Sequence, residues 1–166
     1  MNPSPDVSLS DVDETVLEGL LELAKRDASP DEVAPPVGGP GWDLERTGWF
    51  LSYHRAAADG LDGPAGEKSW AVFSGAELAG SVRLKRDTSA DVPSAETGIW
   101  LGRSFRSRGI GAAALRLVLA EARRAGIRRV TARTLAGNDA AQHLLASAGG
   151  NLRPDDDGTV SAVVDL

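Results

Sequence analysis

The sequence has 166 residues, 42% of them hydrophobic, with no cysteine and a formal net charge of −6. A chain of this length and hydrophobic content can form one domain with a real core, and the lack of cysteine excludes disulfides, thiolate nucleophiles and cysteine-ligated metals. Its start lacks the basic flank and apolar stretch of a signal peptide, and no apolar run approaches the roughly 20 residues of a membrane span, so we expect a cytoplasmic protein with no membrane partner.

The charges divide the chain into two parts. Residues 1–100 contain 18 acidic and 8 basic residues, whereas residues 101–166 contain 6 acidic and 10 basic residues. Nine of these arginines lie within residues 103–133, where Glu121 is the only acidic residue. Nucleic-acid binding uses a broad basic face on a basic domain, so this pattern argues against it. The pattern favours a local anion site beside an acidic surface that attracts cations.

Apolar periodicity and turn residues predict helices and strands along the whole chain. The first helix takes Ser10 as its N-cap, and a Pro- and Gly-rich irregular connection follows it at residues 28–41. The predicted elements are a strand at 6–9, helices at 11–27 and near 43–58, a hairpin at 69–74 and 77–86, a strand at 95–102, a helix at 112–126, a strand at 127–135, a helix at 138–149 and a last hairpin around 154–158.

The order of these elements is β-α-α-β-β-β-α-β-α-β-β. Such an order predicts a single α/β domain with a mixed sheet and flanking helices. The β-α-β unit at residues 97–135 is expected to join parallel strands by a right-handed crossover, with its helix packed on the sheet.

Residues 106–114 read RSRGIGAAA and place two glycines and two arginines at the start of a helix. A helix N-terminus presents unpaired N–H groups and about half a positive charge, and glycine lets a ligand approach the backbone closely. Gly109 and Gly111, with Arg106 and Arg108, therefore form a candidate pyrophosphate cradle. An ordinary turn before a helix is the alternative.

Two other anion sites fit this stretch less well. A P-loop needs the pattern GxxxxGK[ST], which the sequence lacks. Gly109, Gly111 and Ala114 match the GxGxxA pattern of a dinucleotide fold. That pattern should follow its strand directly, however, and here RSFRSR intervenes. The next strand also ends in TARTL without the acidic residue that such a fold uses.

Residues 95–150 resemble the acyl-CoA-binding core of the GCN5-related N-acetyltransferase (GNAT) family. The family signature [Q/R]-x-x-G-x-[G/A] occurs as Arg106-Ser-Arg-Gly109-Ile-Gly111, and an N-x-x-[A/S] helix start follows from Asn138 to Ala141. The resemblance implies one GNAT domain over residues 1–166 with a mostly antiparallel central sheet. Within it, residues 95–150 form the acyl-CoA-binding core and residues 7–86 shape the acceptor site.

The resemblance implies acetyl-CoA as cosubstrate, and we expect no metal site. The N–H groups from Arg106 to Gly111 would hold its pyrophosphate, and the strand at 99–101 would bind the pantetheine arm after splaying from the strand at 130–134. Asn138 would contact the cosubstrate or cap its helix. The residues assigned to acetyl-CoA are Ile99, Trp100, Leu101, Arg106, Ser107, Arg108, Gly109, Ile110, Gly111, Ala112 and Asn138.

The family reaction is direct attack of a primary amine on the thioester. Glu96 stands where many members place the general base, often acting through water; binding a cationic substrate, or lying on the surface without a role, are its alternatives. Leu145 replaces the tyrosine that serves many members as general acid. Leucine here is similar to the branch with ribosomal-protein N-terminal and aminoglycoside 6'-N-acetyltransferases. The acid would then be solvent or another group, with Tyr53 a remote candidate.

One further departure from the family pattern is at Gly150, and the two histidines are also considered as catalytic groups. Gly150 stands where the family usually has phenylalanine, which predicts a looser last hairpin. The two histidines, His54 and His143, are less attractive as catalytic groups, and His143 is expected to be packed or to face solvent.

The acceptor site would be shaped by the acidic N-terminal part of the chain. Trp42, Trp49 and Tyr53 are its candidate walls, with Trp49 and Tyr53 on one helix face, and burial in the core is their alternative. Together with acidic residues such as Asp43 and Glu45, they suit a cation such as an aminoglycoside or polyamine. The main rival acceptor is a peptide N-terminus, and a non-catalytic acyl-CoA-binding module is a further alternative. Dimers are common in such proteins, so a homodimer is a further expectation.

Overall fold

The computed structural model of the chain describes residues 6–33 and 41–166. Predictions for residues 1–5 and for the centre of the irregular connection therefore lie outside the described residues. The elements are β1 (Val7–Asp11), α1 (Glu14–Asp27), α2 (Pro30–Val33), α3 (Leu44–Ala57), β2 (Glu67–Ser74), β3 (Glu77–Asp87), β4 (Ser94–Leu101), a 3-10 turn (Arg103–Phe105), α4 (Ile110–Arg124), β5 (Arg129–Leu135), α5 (Asp139–Ser147), β6 (Asn151–Pro154) and β7 (Thr159–Asp165).

The strands form a mixed sheet in the order β1-β2-β3-β4-β5-β7-β6. Neighbouring strands are antiparallel except β4 and β5, which are parallel and joined through α4. The predicted α/β fold and its parallel β-α-β unit are thus confirmed. The short helix α2 is an addition to the predicted order.

The first long helix begins later than predicted, because its cap is Asp13 and not Ser10. Ser10 pairs with Ala71 in the β1–β2 ladder, so its backbone belongs to the strand. The Asp13 carboxylate accepts a hydrogen bond from the Val16 amide at 2.8 Å. An N-cap side chain satisfies one of the free amides of the first turn, and a carboxylate there also complements the helix dipole.

Side chains alternate between the two faces of the sheet, and each face has its own core. On one face, the apolar stripe of α4, formed by Leu115, Val118 and Ala122, is buried in the larger cluster. On the other face, α1 and α3 bury a smaller cluster that includes Phe50 of α3 and Ala71 of β2. The second face is where helix α3 covers the middle of the sheet, and it holds the candidate acceptor site.

The last hairpin forms despite the glycine that precedes it, since β6 pairs with β7 along its length. A Cβ on Gly150 would lie 2.8 Å from the carbonyl oxygen of Leu145, and the Gly150 amide donates to that oxygen at 3.0 Å. Glycine therefore lets the chain leave α5 in close contact with its last turn. The expected loosening of the hairpin is not seen in its strand pairing.

Candidate active site

The loop between β4 and α4 presents its backbone at the start of a helix. Phe105 and Ile110 are buried and fix the two ends of this loop. Gly109 adopts a left-handed conformation with φ of 78°, and Ser107 has φ of 60°. Among the described residues, no side chain caps the N-terminus of α4. Its first-turn amides are therefore available to an anion.

The two signature arginines make contacts within this loop. The guanidinium of Arg106 donates to the carbonyl oxygen of Leu101, the last residue of β4. Nη1 of Arg108 donates to the Ser104 carbonyl at 3.4 Å, and its guanidinium lies over the Phe105 ring, 5.6 Å from the centroid. Both arginines thus lie beside the two glycines of the cradle. That their positive charge helps to bind an anion stays a prediction.

Strands β4 and β5 separate as predicted. Their pairing ends at Glu96 and Thr131, although both strands continue. The amide of Gly102 donates to the Ala79 carbonyl of β3. Because backbone groups alternate in direction along a strand, those of Ile99 and Leu101 point away from β3, into the opening. The opening therefore offers the backbone groups of Ile99 and the amide of Leu101 to an extended ligand, since the Leu101 carbonyl accepts from Arg106. The backbone groups of Trp100 face β3, and the pantetheine-binding role of residues 99–101 stays a prediction.

Helix α5 lies beside the cradle. Asn138 caps it, with Oδ1 accepting from the Ala141 amide at 3.1 Å, so the capping alternative for Asn138 is what the structure shows. Leu145, at the usual tyrosine position, is 7% exposed and packs in the larger core. A Cβ on Gly111 would be 3.4 Å from Leu144 and 3.7 Å from Leu101, so only a small side chain fits at position 111.

A cavity of about 210 Å³ lies between α3 and strands β3 and β4. Two of the three predicted acceptor residues, Trp49 and Tyr53, line the cavity. Their rings stack on each other with centroids 5.2 Å apart. Trp42 is not among the described lining residues and packs edge-on against Phe50, with centroids 5.9 Å apart. The lining of the cavity includes Trp49, Tyr53, His54, Arg83, Ile99 and Trp100.

Charged and phenolic groups form a continuous chain beside this cavity. Nη2 of Arg83 donates to Oε1 of Glu96 at 2.7 Å, and its Nη1 lies 3.8 Å from Oε2 of Glu67. The Tyr53 hydroxyl donates to the same Oε2 of Glu67. Burial and this hydrogen bond raise the pKa of the Tyr53 phenol above its usual value. Tyr53 is therefore a protonated donor at neutral pH.

The same contacts keep Arg83 charged. Burial opposes the charge, but the hydrogen bond to Glu96 and the nearby negative groups hold the pKa of the guanidinium above its usual value. Among the described residues that line the cavity, Arg83 is the one that carries a charge. The cavity wall is thus cationic at this point, while the two carboxylates that neutralise Arg83 lie beside it.

His54 occupies the floor of the cavity and is 3% exposed. Its Nδ1 lies 2.9 Å from the Ser69 hydroxyl, within hydrogen-bond distance. Burial lowers the pKa of His54 from 6.5 to about 4, because the apolar surroundings disfavour the imidazolium. The imidazole is therefore neutral at physiological pH and supplies a polar group without a charge.

The sequence interpretation missed Glu67, Ser69 and Arg83. Ser69 and Arg83 are polar residues in the predicted hairpin strands, whereas Glu67 precedes the predicted strand and joins it in β2. All three lie on the face that helix α3 covers. Alternation along the strand could have placed them on one face, but only the pairing of the strands and the position of α3 show that this face is covered. A polar residue at a covered strand position is a signal for a functional network.

The described residues contain neither a candidate metal site nor a candidate membrane-spanning helix. Among the side chains that the structure describes, those of residues 6–30, 33 and 41–166, histidine and acidic groups do not gather into a cluster that could hold a metal ion. In the same ranges, none of the helices has the length and apolar character needed to cross a membrane.

Comparisons with known proteins agree with the geometry. The model of the Acetyltransferase (GNAT) family matches residues 40–149. No curated protein matches the sequence significantly. The fold is similar to Mycobacterium smegmatis RimJ in complex with CoA-disulfide, with a TM-score of 0.77 at 20% identity over 96% of this chain and 82% of that chain.

Two further solved structures have the same fold. The GNAT domain of S. lividans PAT gives a TM-score of 0.73 at 23% identity, over 96% of this chain and 89% of that chain. The Campylobacter jejuni N-acetyltransferase PseH in complex with acetyl coenzyme A gives a TM-score of 0.67 at 11% identity, over 96% of this chain and 99% of that chain. At these identities, the similarity shows a shared fold.

Proposed function

The chain belongs to the GNAT acetyltransferase family, and from that premise we propose that it transfers the acetyl group of acetyl-CoA to a primary amine. The observation that carries the proposal is the opening between β4 and β5. Strand β4 borders both parts of the site, since Leu101 contacts the glycine cradle and Ile99 and Trp100 line the cavity. A ligand that follows β4 therefore leads from the cradle to the cavity.

The residues of the cradle fit the anionic part of acetyl-CoA. The uncapped amides of α4 and the left-handed Gly109 form a backbone anion site, and the outward-facing groups of Ile99 are suited to the amides of a pantetheine arm. Two structures of the same fold contain CoA-disulfide and acetyl coenzyme A, respectively, which supports the same class of cosubstrate here.

The reaction assigned to the site needs a base for the acceptor amine. When bound, acetyl-CoA supplies an acetyl group activated as a thioester. Glu96 is half-exposed at the position where β4 and β5 separate. We assign to it the role of general base, which accepts a proton from the acceptor ammonium directly or through water. The neutral nitrogen then attacks the carbonyl carbon, and the C–S bond breaks as the nitrogen loses its second proton to solvent. The released thiolate takes a proton from solvent. Leu145 is buried and offers no acid.

A cationic small molecule, such as a polyamine or aminoglycoside, is the first candidate acceptor. The stacked rings of Trp49 and Tyr53 form an aromatic wall, and Glu67 and Glu96 outnumber Arg83 in the charged chain beside it. Aromatic faces and an excess of carboxylates attract cations. The Asp43 carboxylate caps α3 by accepting from the Arg46 amide, and its contribution to cation binding stays a prediction.

A peptide N-terminus is the second candidate, and the position of Arg83 favours it. Arg83 is the charged residue among the described lining residues, and the two carboxylates paired with it are not among them. The described lining therefore offers no carboxylate to the additional charges of a polyamine. A peptide N-terminus carries one amine and neutral amide groups. Leu145 is similar to a branch that includes N-terminal as well as aminoglycoside acetyltransferases, so it is compatible with both candidates.

An acceptor panel tests the function. Calorimetry with acetyl-CoA measures binding, and thiol release with spermidine, kanamycin or an alanine-initiated tripeptide measures transfer, with each product identified by mass. We expect one acceptor class to give thiol release well above the rate of acetyl-CoA alone. Binding without transfer to any panel amine would support a non-catalytic acyl-CoA-binding module. No binding would refute the assigned cosubstrate.

A further inference from the structure

Arg83 lies between two carboxylates on three adjacent strands. Glu67 is on β2, Arg83 on β3 and Glu96 on β4. The Arg83 side chain is 31% exposed, with Glu67 at 10% and Glu96 at 52%. Exposure thus rises along the row, from a buried anchor to a half-exposed carboxylate.

Gly98 gives the guanidinium its path across the sheet. Gly98 pairs with Arg83, whereas Glu96 pairs with Lys85, so Arg83 reaches Glu96 diagonally. A Cβ on Gly98 would lie 3.0 Å from Nε and 3.3 Å from Nη2 of Arg83. The guanidinium therefore lies directly over the glycine, in space that any side chain would occupy.

Glu67 holds the other side of Arg83. A buried carboxylate needs charged or hydrogen-bonding partners to offset its desolvation, and Glu67 has Tyr53 and Arg83. Tyr53 is itself fixed by its stack on Trp49. The anchor of Arg83 is thus built from helix α3 and strand β2 together.

We propose that Arg83, supported by Glu67 and Gly98, is a positioning residue that directs Glu96 at the opening between β4 and β5. The inference rests on the proposed function, in which Glu96 is the base. Glu96 is the last residue of β4 that pairs with β5, so its side chain stands where the opening begins. A free glutamate side chain samples several rotamers, and fixing it costs conformational entropy. A charged hydrogen bond to one oxygen, Oε1, removes that freedom and leaves Oε2 to receive a proton.

A double-mutant cycle tests the proposal with the amine that the panel above identifies. The variants are R83Q, E96Q and the double variant, each measured for kcat, for KM of the amine and for acetyl-CoA affinity. We expect R83Q to lower kcat by about tenfold or more, as misplacement of a catalytic group does, with acetyl-CoA affinity unchanged. In the E96Q background, we expect R83Q to have no further effect, and we expect R83K to restore part of kcat.

R86Q is the matched control. Arg86 lies on the same strand and forms an ion pair with Asp62 at 3.1 Å. Because successive residues of a strand face opposite sides of the sheet, its side chain is on the other face from Arg83 and Glu96. We expect R86Q to keep the wild-type kcat. If circular dichroism shows that R83Q is misfolded, R83K takes its place in the cycle. A loss of kcat that occurs only when Glu96 is present then supports the proposal.

The outcomes separate this inference from the proposed function. If R83Q, or R83K in its place, lowers kcat equally in both backgrounds, or leaves kcat at the wild-type value, the positioning role is wrong while the acetyltransferase function stands. If the wild-type protein transfers acetyl to no panel amine, the proposed function fails and this inference fails with it.

Discussion

Arg106 donates to the carbonyl oxygen of Leu101 through two nitrogens, Nε at 3.1 Å and Nη2 at 2.9 Å. The contact joins the first residue of the glycine signature to the last residue of β4. A planar guanidinium makes such a two-point contact, whereas an ammonium is a single point charge. The shape of the Arg106 side chain, in addition to its charge, therefore holds the cradle against the strand.

Replacement of Arg106 by lysine is expected to weaken acetyl-CoA binding about tenfold, although the charge is kept, because about 1.4 kcal/mol of charged hydrogen bonding is lost. R108K is the matched control and should stay within about threefold of wild type, since the contacts of Arg108 are one hydrogen bond of 3.4 Å and a ring. Calorimetry measures both affinities. Wild-type affinity in R106K would show that the two-point contact is unimportant.

Gly109 is expected to serve binding as well as backbone geometry. Its φ of 78° makes an alanine cost about 1–2 kcal/mol of stability. G126A is the matched control, because Gly126 lies just beyond the other end of α4 with φ of 81° and a Cβ there would contact nothing within 4 Å. We expect both variants to lose similar stability in urea unfolding, and only G109A to lose acetyl-CoA affinity. Equal affinities in the two variants would contradict the cradle assignment.

The sequence carries enough information to predict the cradle because its determinants are local. The signature from Arg106 to Gly111, the strand before it and the helix after it occupy one continuous stretch. A parallel β-α-β unit then follows from chain connectivity and handedness. The opening between β4 and β5 could be predicted from the family resemblance, and the structure shows it at Glu96 and Thr131.

The charged chain beside the cavity could not be predicted in the same way. Glu67 and Arg83 become neighbours only through the register of β2 on β3, and Tyr53 joins them only because α3 crosses that part of the sheet. Trp42 illustrates the reverse case. As an aromatic residue beside α3, Trp42 is a candidate wall of the acceptor site, but tertiary packing places its ring against Phe50.

His54 is expected to make stability depend on pH. Its pKa is about 4 in the folded protein and 6.5 for an unperturbed histidine, so the unfolded chain binds more protons between these values. Stability is therefore fully present above pH 6.5 and falls as pH decreases towards 4. Between pH 7 and pH 5, we expect a loss of about 2 kcal/mol from this group. Urea unfolding at a series of pH values measures it.

H54Q removes the titrating group and keeps a hydrogen-bonding side chain beside Ser69. We expect its stability at pH 7 to be lower than that of wild type but nearly constant down to pH 5. H143Q is the control, because the sequence has two histidines and His143 is exposed on α5. If H54Q keeps the full pH dependence of wild type, the group responsible is not His54.

Replacement of Gly98 by alanine should uncouple Arg83 from Glu96 with little effect on the fold. The new Cβ would meet the end of the flexible Arg83 side chain, at 3.0 Å from Nε, so the guanidinium can move away at low cost, and β4 accepts alanine in its extended backbone. We expect the free energy of unfolding to change by less than about 1 kcal/mol and acetyl-CoA affinity to stay the same, while kcat falls. Because Gly98 also lines the cavity, the variant is measured in the R83Q background too. A loss of kcat that disappears in that background acts through Arg83, whereas a loss that persists comes from a narrower cavity and would contradict this account of Gly98.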